Sequence, residues 1–565
     1  MLSGDMGLEN FLLPDFVTDL LQGKMYDLAY HKLPEKSHAL TLIHKVNNTY
    51  SGEFYLLDME TIIPIVDDVY EKFDRRNAFS DVVRKTNHGH LCYLFSTFAF
   101  GEQLLNSHMV LNLKVKIPGI EYFLLALQLA HLNREEIDLC FIQTALILGL
   151  YSVNLNRYNT VYNFFGVAVR STLAKGLHRK SEMKLTGTPE EIFVKRKLLE
   201  KMKRVFWSVY VIDTTWSTHR MSLPVHINYV DTDADLPLDD PLDLQDNFDV
   251  NFLELNVHLS KYIAKSMKLI HGANMRTLSV SYVNTAQFNQ KQQAKNCLSC
   301  LRELVTCFEE PYLTEFDRVR LFTGERRSLT NLFLRFHQLV IIITRPLLFL
   351  VFIRDAPRLE NPSEILQAIV KGIHVAHTQI DIILSFYANQ QLFVLGFWDS
   401  QHLFSAIMVA IIGAIIGKGF DRIPHGVALL KYMADHNNIN ALNCMKKLAH
   451  VNEFLLQTPE IGFTLNLRQS IENIDLIPSE FGINSSSSGL DLVNPPPLAA
   501  FIKSNINPTV TWRPFEDPVS STPSSYSSRE DWNEGISNYS SHSKNILFNM
   551  INSIQSWDVY ADKNE

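Results

Sequence analysis

The sequence predicts an all-α fold, a superhelical stack of helical pairs followed by a disordered C-terminal tail. Apolar residues recur at helical spacing along most of the chain, and loops of ordinary length separate these stripes. No strict short repeat is present. Near Asn484 the composition turns rich in Ser and Pro, which is typical of chain that cannot bury enough apolar surface to fold.

These changes divide the chain into four predicted segments. Residues 1–75 form an N-terminal segment, 76–480 a helical domain, 481–543 a disordered Ser/Pro-rich linker, and 544–565 an amphipathic helix. That last helix would either bind a partner groove or dock back on its own domain. With 46% hydrophobic side chains, the helical domain can bury a sizeable core.

The first helices are predicted from their apolar spacing. Leu8–Leu21 has this spacing but contains Pro14, and Tyr50–Leu57 alternates enough for a short strand or an extended arm. The short connection at Asn133-Arg134 indicates an antiparallel helix pair. The predicted helices up to this region are Thr61–Phe73, His90–Leu105, Ile120–Leu132 and Glu135–Tyr151.

Two helices follow in the stretch between Phe141 and Asp240, around which the chain is organised. One carries a stripe from Val161 to Val169, with Asn159 as its predicted N-cap and Gly176 as its left-handed end. The next opens with a capping box in which Thr188 and Glu191 satisfy each other's backbone N–H groups. Its apolar stripe consists of Met202, Val205, Phe206, Val209, Ile212 and Trp216.

Further helices are predicted downstream, and Arg345-Pro346 is expected to kink or end one of them because proline lacks a backbone donor. Their ranges are Val250–Gly272, Asn289–Phe308, Ser328–Thr344, Ser363–Tyr387, Gln401–Ile416, His425–Ala434 and Ile439–Leu456.

Charge and hydropathy exclude several classes of protein. A net charge of −8 argues against nucleic-acid binding by bulk electrostatics. The apolar run from Leu339 to Ile353 is interrupted by Arg345-Pro346, and the run from Leu403 to Gly417 is short for a bilayer span. We therefore expect no membrane span. Six cysteines without paired spacing indicate a reducing compartment.

Several short motifs suggest metal, phosphate or catalytic sites, but each lacks essential residues. Cys297, Cys300 and Cys307 have the spacing of half a binuclear zinc cluster, yet the next cysteine is Cys444, so small buried side chains are favoured. The acidic run at 231–235 lacks the glycine and glutamate of a calcium loop and is expected to be solvated. No acid/base set for catalysis is evident, so no enzyme is predicted.

A basic run lies on the helix that follows the capping box. A nuclear-import patch or a phosphate-binding surface is one reading, but a solvated face with an ion pair between Glu200 and Arg204 is favoured. The run consists of Lys195, Arg196, Lys197, Lys201, Lys203 and Arg204.

Three blocks in the organising stretch resemble the middle homology region of fungal zinc-cluster transcription factors. The residues that carry the resemblance are Tyr151, Asn154, Tyr162, Gly166, Ala168, Arg170, Gly176, Leu177, His178 and Arg179, then Arg204, Trp207, Tyr210 and Asp213, then Pro224, Ile227, Asp231, Asp233, Asp235, Leu236 and Pro237. A looser likeness extends from Phe336 to Leu348. The sequence departs from the family at Ser222-Leu223-Pro224, where Gly-Arg-Pro is usual, and it contains no zinc cluster.

The resemblance implies a nuclear regulator of RNA polymerase II transcription whose DNA binding comes from a missing N-terminal cluster or a partner. No cofactor is expected in this chain, and zinc only with such a cluster. Expected partners are the transcription machinery or an inhibitor protein, a small-molecule effector, and a second copy in a homodimer. The alternatives are a helical interaction scaffold and a small-molecule-binding α-domain.

Two sets of residues are predicted to matter within this region. Tyr210, Trp216 and His219 are candidates for effector binding, although such side chains are more often part of a core. Arg170 is the predicted partner of Asp213, because a half-buried carboxylate requires a partner and both belong to the matched positions.

Overall fold

The computed structural model describes residues 28–74, 87–106, 117–132, 137–181, 183, 185–219, 227, 229–238, 248–271, 290–313, 327–350, 362–416, 421–458 and 461–467. These residues form helices and connecting turns without a β-strand, which confirms the all-α prediction. The predicted helix at Leu8–Leu21, the linker at 481–543 and the helix at 544–565 lie outside the described residues.

Fourteen helices carry the architecture of the described part and are numbered here in chain order. The first seven are α1 (Lys36–Tyr50), α2 (Met59–Asp74), α3 (His88–Leu105), α4 (Ile120–Leu132), α5 (Leu139–Asn154), α6 (Tyr158–Ala174) and α7 (Pro189–His219). The second seven are α8 (Val250–Ser266), α9 (Gln290–Leu304), α10 (Arg327–Leu350), α11 (Pro362–Ala388), α12 (Phe397–Ile415), α13 (Arg422–Asp435) and α14 (Ile439–Leu456). Helices α8 and α9 continue into π-helical turns at Met267–His271 and Val305–Glu309.

Consecutive helices pack against each other, α3 on α4, α5 on α6, α10 on α11 and α13 on α14, so the fold is a stack of helical pairs. Its buried apolar side chains form two clusters. The first belongs mainly to α1–α7 and the second mainly to α8–α14. Leu253 and Val257 of α8 and Phe397 of α12 join the first cluster, so these two helices connect the halves.

The segment after α1 is an extended arm rather than a strand. Residues 54–58 are buried without a partner strand among the described residues. Their backbone is satisfied by helix side chains instead, because the Tyr55 N–H donates to Ser208 Oγ at 2.9 Å and Gln143 Nε2 donates to the Tyr55 carbonyl at 3.2 Å. This segment therefore fills the space between α5 and α7.

Two local predictions about helix ends are confirmed. Gly176 has a φ of +69° after α6. The capping box before α7 is formed, with Thr188 N–H donating to Glu191 Oε2 at 3.1 Å and Glu191 N–H donating to Thr188 Oγ1 at 3.3 Å.

One other is wrong, and a second is wrong in part. Asn159 is not an N-cap, because α6 already begins at Tyr158 after a tight turn in which Asn156 takes a φ of +58°. Of the kink or end predicted at Arg345-Pro346, the end does not occur, because α10 runs on to Leu350. Leu347 and Leu348 are fully buried beyond the proline, and their burial offsets the hydrogen bond that Pro346 cannot make.

Among the described residues, α12 is the one helix long and apolar enough to cross a membrane by length and composition. In the structure, 83% of its most apolar window is buried inside the protein. That is the environment of a core helix.

Candidate functional site

Helix α7 is the element on which the three resembling blocks meet. Its stripe of Val205, Phe206, Val209, Ile212 and Trp216 is buried against α5, α6 and α8. The helix also binds the acidic segment that follows it, because Trp207 Nε1 donates to the Asp235 carbonyl at 3.0 Å and Lys203 Nζ donates to the Leu236 carbonyl at 3.3 Å.

The acidic segment is anchored from its other side by the turn after α6. The backbone N–H groups of Asp233 and Ala234 each donate to the His178 carbonyl at 3.2 Å, and the Lys180 N–H donates to Asp233 Oδ1 at 3.0 Å. The residues that carry the resemblance thus hold three segments together, which are the turn after α6, helix α7 and the acidic segment that follows α7. No cluster of three His, Cys, Asp or Glu suited to a metal ion occurs in the described residues.

The basic run on α7 is only in part the solvated face favoured from the sequence, because Arg196 is exposed but several of its neighbours pair with carboxylates. Lys201 binds Asp58 at 2.7 Å and Glu60 at 2.9 Å, and Lys197 also binds Glu60. Burial alone would raise the pKa of Glu60, but the hydrogen bonds from these two lysines outweigh it and lower the pKa. The reason is that the end of the extended arm places Asp58, and the first turn of α2 places Glu60, against α7.

The predicted pair of Glu200 and Arg204 is formed, with Arg204 Nε 3.4 Å from Glu200 Oε1, but both side chains are buried. Glu200 also accepts the Leu238 N–H at 2.9 Å and binds Lys203 at 2.7 Å. The Arg204 guanidinium lies over the Phe248 ring at 4.9 Å. This part of the basic run therefore fastens the end of the acidic segment to α7.

Two of the predicted effector-binding residues are core side chains. Tyr210 is 1% exposed and contacts Trp207 and Tyr229, and burial raises its pKa well above the ordinary value. Trp216 is 2% exposed and contacts the rings of Tyr158, Phe165, Phe397 and Trp398. His219 is the last residue of α7, and its side chain lies outside the described part. The prediction that these residues bind an effector gains no support from their burial.

The predicted pair of Arg170 and Asp213 also gains no support. Arg170 is exposed on α6, whereas Asp213 is buried on α7. Neither a hydrogen bond nor an ion pair joins these two described side chains. The helical face that each residue occupies accounts for the difference in exposure.

The three cysteines with zinc-like spacing lie on α9 and its π-helical extension. Cys297 and Cys300 are buried, as expected for small core side chains, and burial raises the pKa of both thiols. Cys307 is exposed, which the sequence did not predict. Buried thiols of raised pKa remain protonated and do not favour zinc binding.

An open cleft lies one turn from Trp216, between the two halves of the molecule. It is small, with room for about 40 Å³ between its walls, and part of it is open to solvent. Its walls come from four helices: Thr215 and Thr218 of α7, Ile263 of α8, Arg335, Gln338, Leu339, Ile342 and Arg345 of α10, and Trp398, Gln401 and His402 of α12.

Sequence reasoning missed this cleft, although it placed the candidate effector site on the same end of α7. Thr215 and Arg345 are far apart in the sequence, so no local pattern indicates that they share a wall. A weak signal was present in the looser likeness between Phe336 and Leu348, which covers most of the α10 wall.

Comparison with known proteins gives the same family as the resemblance. Residues 53–309 match the fungal specific transcription factor domain. An uncharacterized transcriptional regulatory protein of Schizosaccharomyces pombe is 23% identical over 376 residues, covering 63% of this chain and 43% of that protein. The activator of stress genes 1 of Saccharomyces cerevisiae is 34% identical over 140 residues, which are 25% of this chain and 13% of that protein.

The thiamine repressible genes regulatory protein of Schizosaccharomyces pombe is 27% identical over 144 residues, covering 25% of this chain and 17% of that protein. The chain thus spans less than half the length of each of these relatives. No solved structure gives a significant match. The region that is similar to the fungal specific transcription factor domain runs from the buried arm before α2 to the π-helical turn after α9 and includes the whole of α7.

Proposed function

We propose that this chain is the regulatory and effector region of a transcription regulator that acts on RNA polymerase II. The observation that carries the proposal is the family match over residues 53–309, together with relatives named as transcriptional regulators. The helical domain restrains or permits activation, and a small-molecule effector or an inhibitor protein sets its state. No catalytic role is proposed.

In this proposal, sequence-specific DNA binding comes from a zinc cluster outside this sequence or from a partner protein. The net charge of −8 supports this, because a chain with a net negative charge gains little binding energy from contacts with DNA phosphates. We expect the purified chain to bind DNA weakly and without sequence preference, with an affinity that falls steeply as salt rises. The expected location is the nucleus.

A reporter assay tests the regulatory role. The full chain is fused to an unrelated DNA-binding domain, and expression of a reporter carrying the matching site is measured in yeast cells. We expect expression to change severalfold relative to the DNA-binding domain alone. A second fusion, ending at residue 467, separates the role of the helical domain from that of the rest.

An unchanged reporter, with both fusions nuclear and equally abundant, would contradict the proposal. It would favour a helical interaction scaffold that does not regulate transcription.

Size-exclusion chromatography with light scattering of the purified chain tests the expected homodimer.

A further inference from the structure

We propose that the first half of α7 is a self-association surface, on which the same helix of a second copy of this chain packs antiparallel. The proposal rests on the homodimer expected with the proposed function and assigns its contact surface. It is carried by an apolar stripe that stays exposed and by charges that complement those of a reversed copy of the same helix.

The apolar stripe of α7 extends beyond the part that its own domain covers. From Val205 to Trp216 the stripe is buried. The same spacing of three or four residues continues it toward the start of the helix through Met202 to Leu198 and Val194. Leu198 is 42% exposed and Val194 is 63% exposed. An exposed apolar stripe at helical spacing is typical of a face that binds another helix.

The segment before α7 widens this face. Lys195 Nζ donates to the Thr186 carbonyl at 2.7 Å, which holds the preceding segment beside the helix. Leu185, next to Thr186, is 44% exposed. Aliphatic side chains are therefore exposed on the stripe and at its edge, and a second helix packed on the stripe would remove them from water.

The charged side chains on this half of α7 change sign along the helix, with Glu191 in its first turn and Lys195 one turn later. Their spacing of four residues allows an ion pair within the helix. These two described side chains do not form one. Glu191 Oε2 instead accepts the Thr188 N–H at 3.1 Å, and Lys195 donates to a backbone carbonyl. Neither pairs with an opposite charge among the described residues, so both charges are placed to bind a second molecule.

An antiparallel copy of the helix brings opposite charges together. When the two-fold axis passes beside Val194, residues whose numbers add to about 387 face each other. Glu191 then faces Lys195 of the second copy on one flank of the stripe, and Glu190 faces Lys197 of the second copy on the other. By symmetry each contact occurs twice. A parallel copy would instead set Glu191 beside Glu191.

The two flanks differ in how much they contribute. Lys197 also binds Glu60 of its own copy, so the contacts between Glu191 and Lys195 decide the register. Residues 189–199 form three turns, about 16 Å of helix, which is short for an interface of standard size. We therefore expect a weak dimer with a dissociation constant in the micromolar range.

Sedimentation velocity of the full chain between about 1 µM and about 100 µM tests the proposal and should show a dimer that forms as concentration rises. Val194→Glu sets two carboxylates against each other at the axis and should weaken the dimer at least tenfold. Val230→Glu is the matched control. Val230 is 84% exposed and follows Tyr229, which contacts Trp207 on the opposite side of α7. Circular dichroism confirms that each variant keeps its helices.

A mixing experiment tests the antiparallel register. Lys195→Glu and Glu191→Lys each place like charges at both symmetric contacts, so each variant alone should dimerise at least tenfold more weakly than the wild type. Mixed in equal amounts, the two variants pair acid with base at both contacts and should associate nearly as well as the wild type. Rescue requires that both chains are folded, so it also covers a weakened capping box in Glu191→Lys.

Three outcomes would overturn the proposal. They are a wild-type chain that stays monomeric at every concentration, a dimer of equal affinity in the wild type and Val194→Glu, and a mixture that associates no better than its separate components. The second outcome would place the homodimer on another surface.

The reporter assay separates this proposal from the proposed function. A monomeric chain whose fusion still changes reporter expression would overturn the surface and leave the proposed function standing. A dimer that forms through α7, with a fusion that leaves the reporter unchanged, would support the surface and count against the proposed function.

Discussion

Gly119 lies where the chain enters α4, with a φ of +74° and no room for a side chain. A Cβ at this position would lie 2.2 Å from the carbonyl oxygen of Ala99 on α3. Gly176, at the end of α6, has a similar φ of +69° but has no heavy atom within 4 Å of such a Cβ. Alanine would therefore be strained in its backbone at both positions. Only at position 119 would its Cβ also clash with α3.

We expect Gly119→Ala to lower the free energy of unfolding by about 3 kcal/mol or more, because strain and a backbone clash add. Gly176→Ala should cost only about 1 kcal/mol, from strain alone. Urea unfolding followed by circular dichroism measures both. Equal costs would show that α3 and α4 can move apart freely at this crossing.

Asp381 provides a pH-dependent contribution to stability. Burial raises its pKa to about 6, although Arg422 lies 3.0 Å away and opposes the shift. The folded state therefore holds its proton more tightly than the unfolded chain, whose carboxyl titrates near ~3.9. Between these two values the folded state binds more protons, so its stability falls as pH rises through the window.

Asp381→Asn should remove this slope, because asparagine stays neutral. Between pH ~4 and pH ~7, the wild type should lose about 2 kcal/mol of unfolding free energy relative to the variant. Denaturant titrations at both ends of the window measure the difference. Asp435→Asn is the control, since Asp435 is exposed beside Lys431, and its pH profile should follow that of the wild type.

At the scale of helices, the capping box is the feature that the sequence predicts most completely. Thr188 and Glu191 satisfy each other's N–H groups and depend on no distant residue. The first half of α7 is otherwise thinly covered, with Val194 63% exposed and Phe193 and Leu198 also exposed. Its stability should therefore depend on the cap more than that of a buried helix does.

Thr188→Ala should destabilise this end of α7 by about 1 kcal/mol. Because the first turns of α7 are exposed, we expect hydrogen exchange of amides 190–194 to accelerate while the global unfolding midpoint barely changes. Thr188→Ser keeps the hydroxyl and should leave exchange close to that of the wild type. A shift of the global midpoint by the full amount would show that the whole helix unfolds as one unit.

The errors made at this scale have a common cause. Pro346 predicts a kink or a helix end by its own chemistry, and Asn159 predicts a cap by its side chain, but both signals are local. Burial of Leu347 and Leu348 and the turn at Asn156 decide where α10 and α6 end and begin. The charge run on α7 was misread in part for the same reason, because its carboxylate partners at the start of α2 lie about 140 residues earlier in the chain.

At the scale of the whole molecule, the stripes predict that helices stack but not how two halves meet. The cleft illustrates the limit, since its lining combines residues from four helices spread from Thr215 to His402. The polar contact that joins the arm after α1 to α10, called the bridge here, is equally invisible to local sequence patterns. Glu53, on the arm after α1, is 2% exposed and accepts hydrogen bonds from Arg335 and Asn331 of α10.

This bridge should contribute to the stability of the fold, because it joins the arm after α1 to α10. Removing one partner of a buried ion pair leaves the other charge uncompensated, so Glu53→Gln should cost about 3 kcal/mol of unfolding free energy. The matched change Glu303→Gln, in the exposed pair with Lys265, should cost less than about 1 kcal/mol. Urea unfolding of both variants measures the two costs.

The double variant Glu53→Gln with Arg335→Gln decides whether the cost belongs to the pair. If the charges stabilise each other, the double variant should be less destabilised than the sum of the single changes. Strict additivity would instead mean that each side chain acts through separate contacts, such as Asn256 for Arg335.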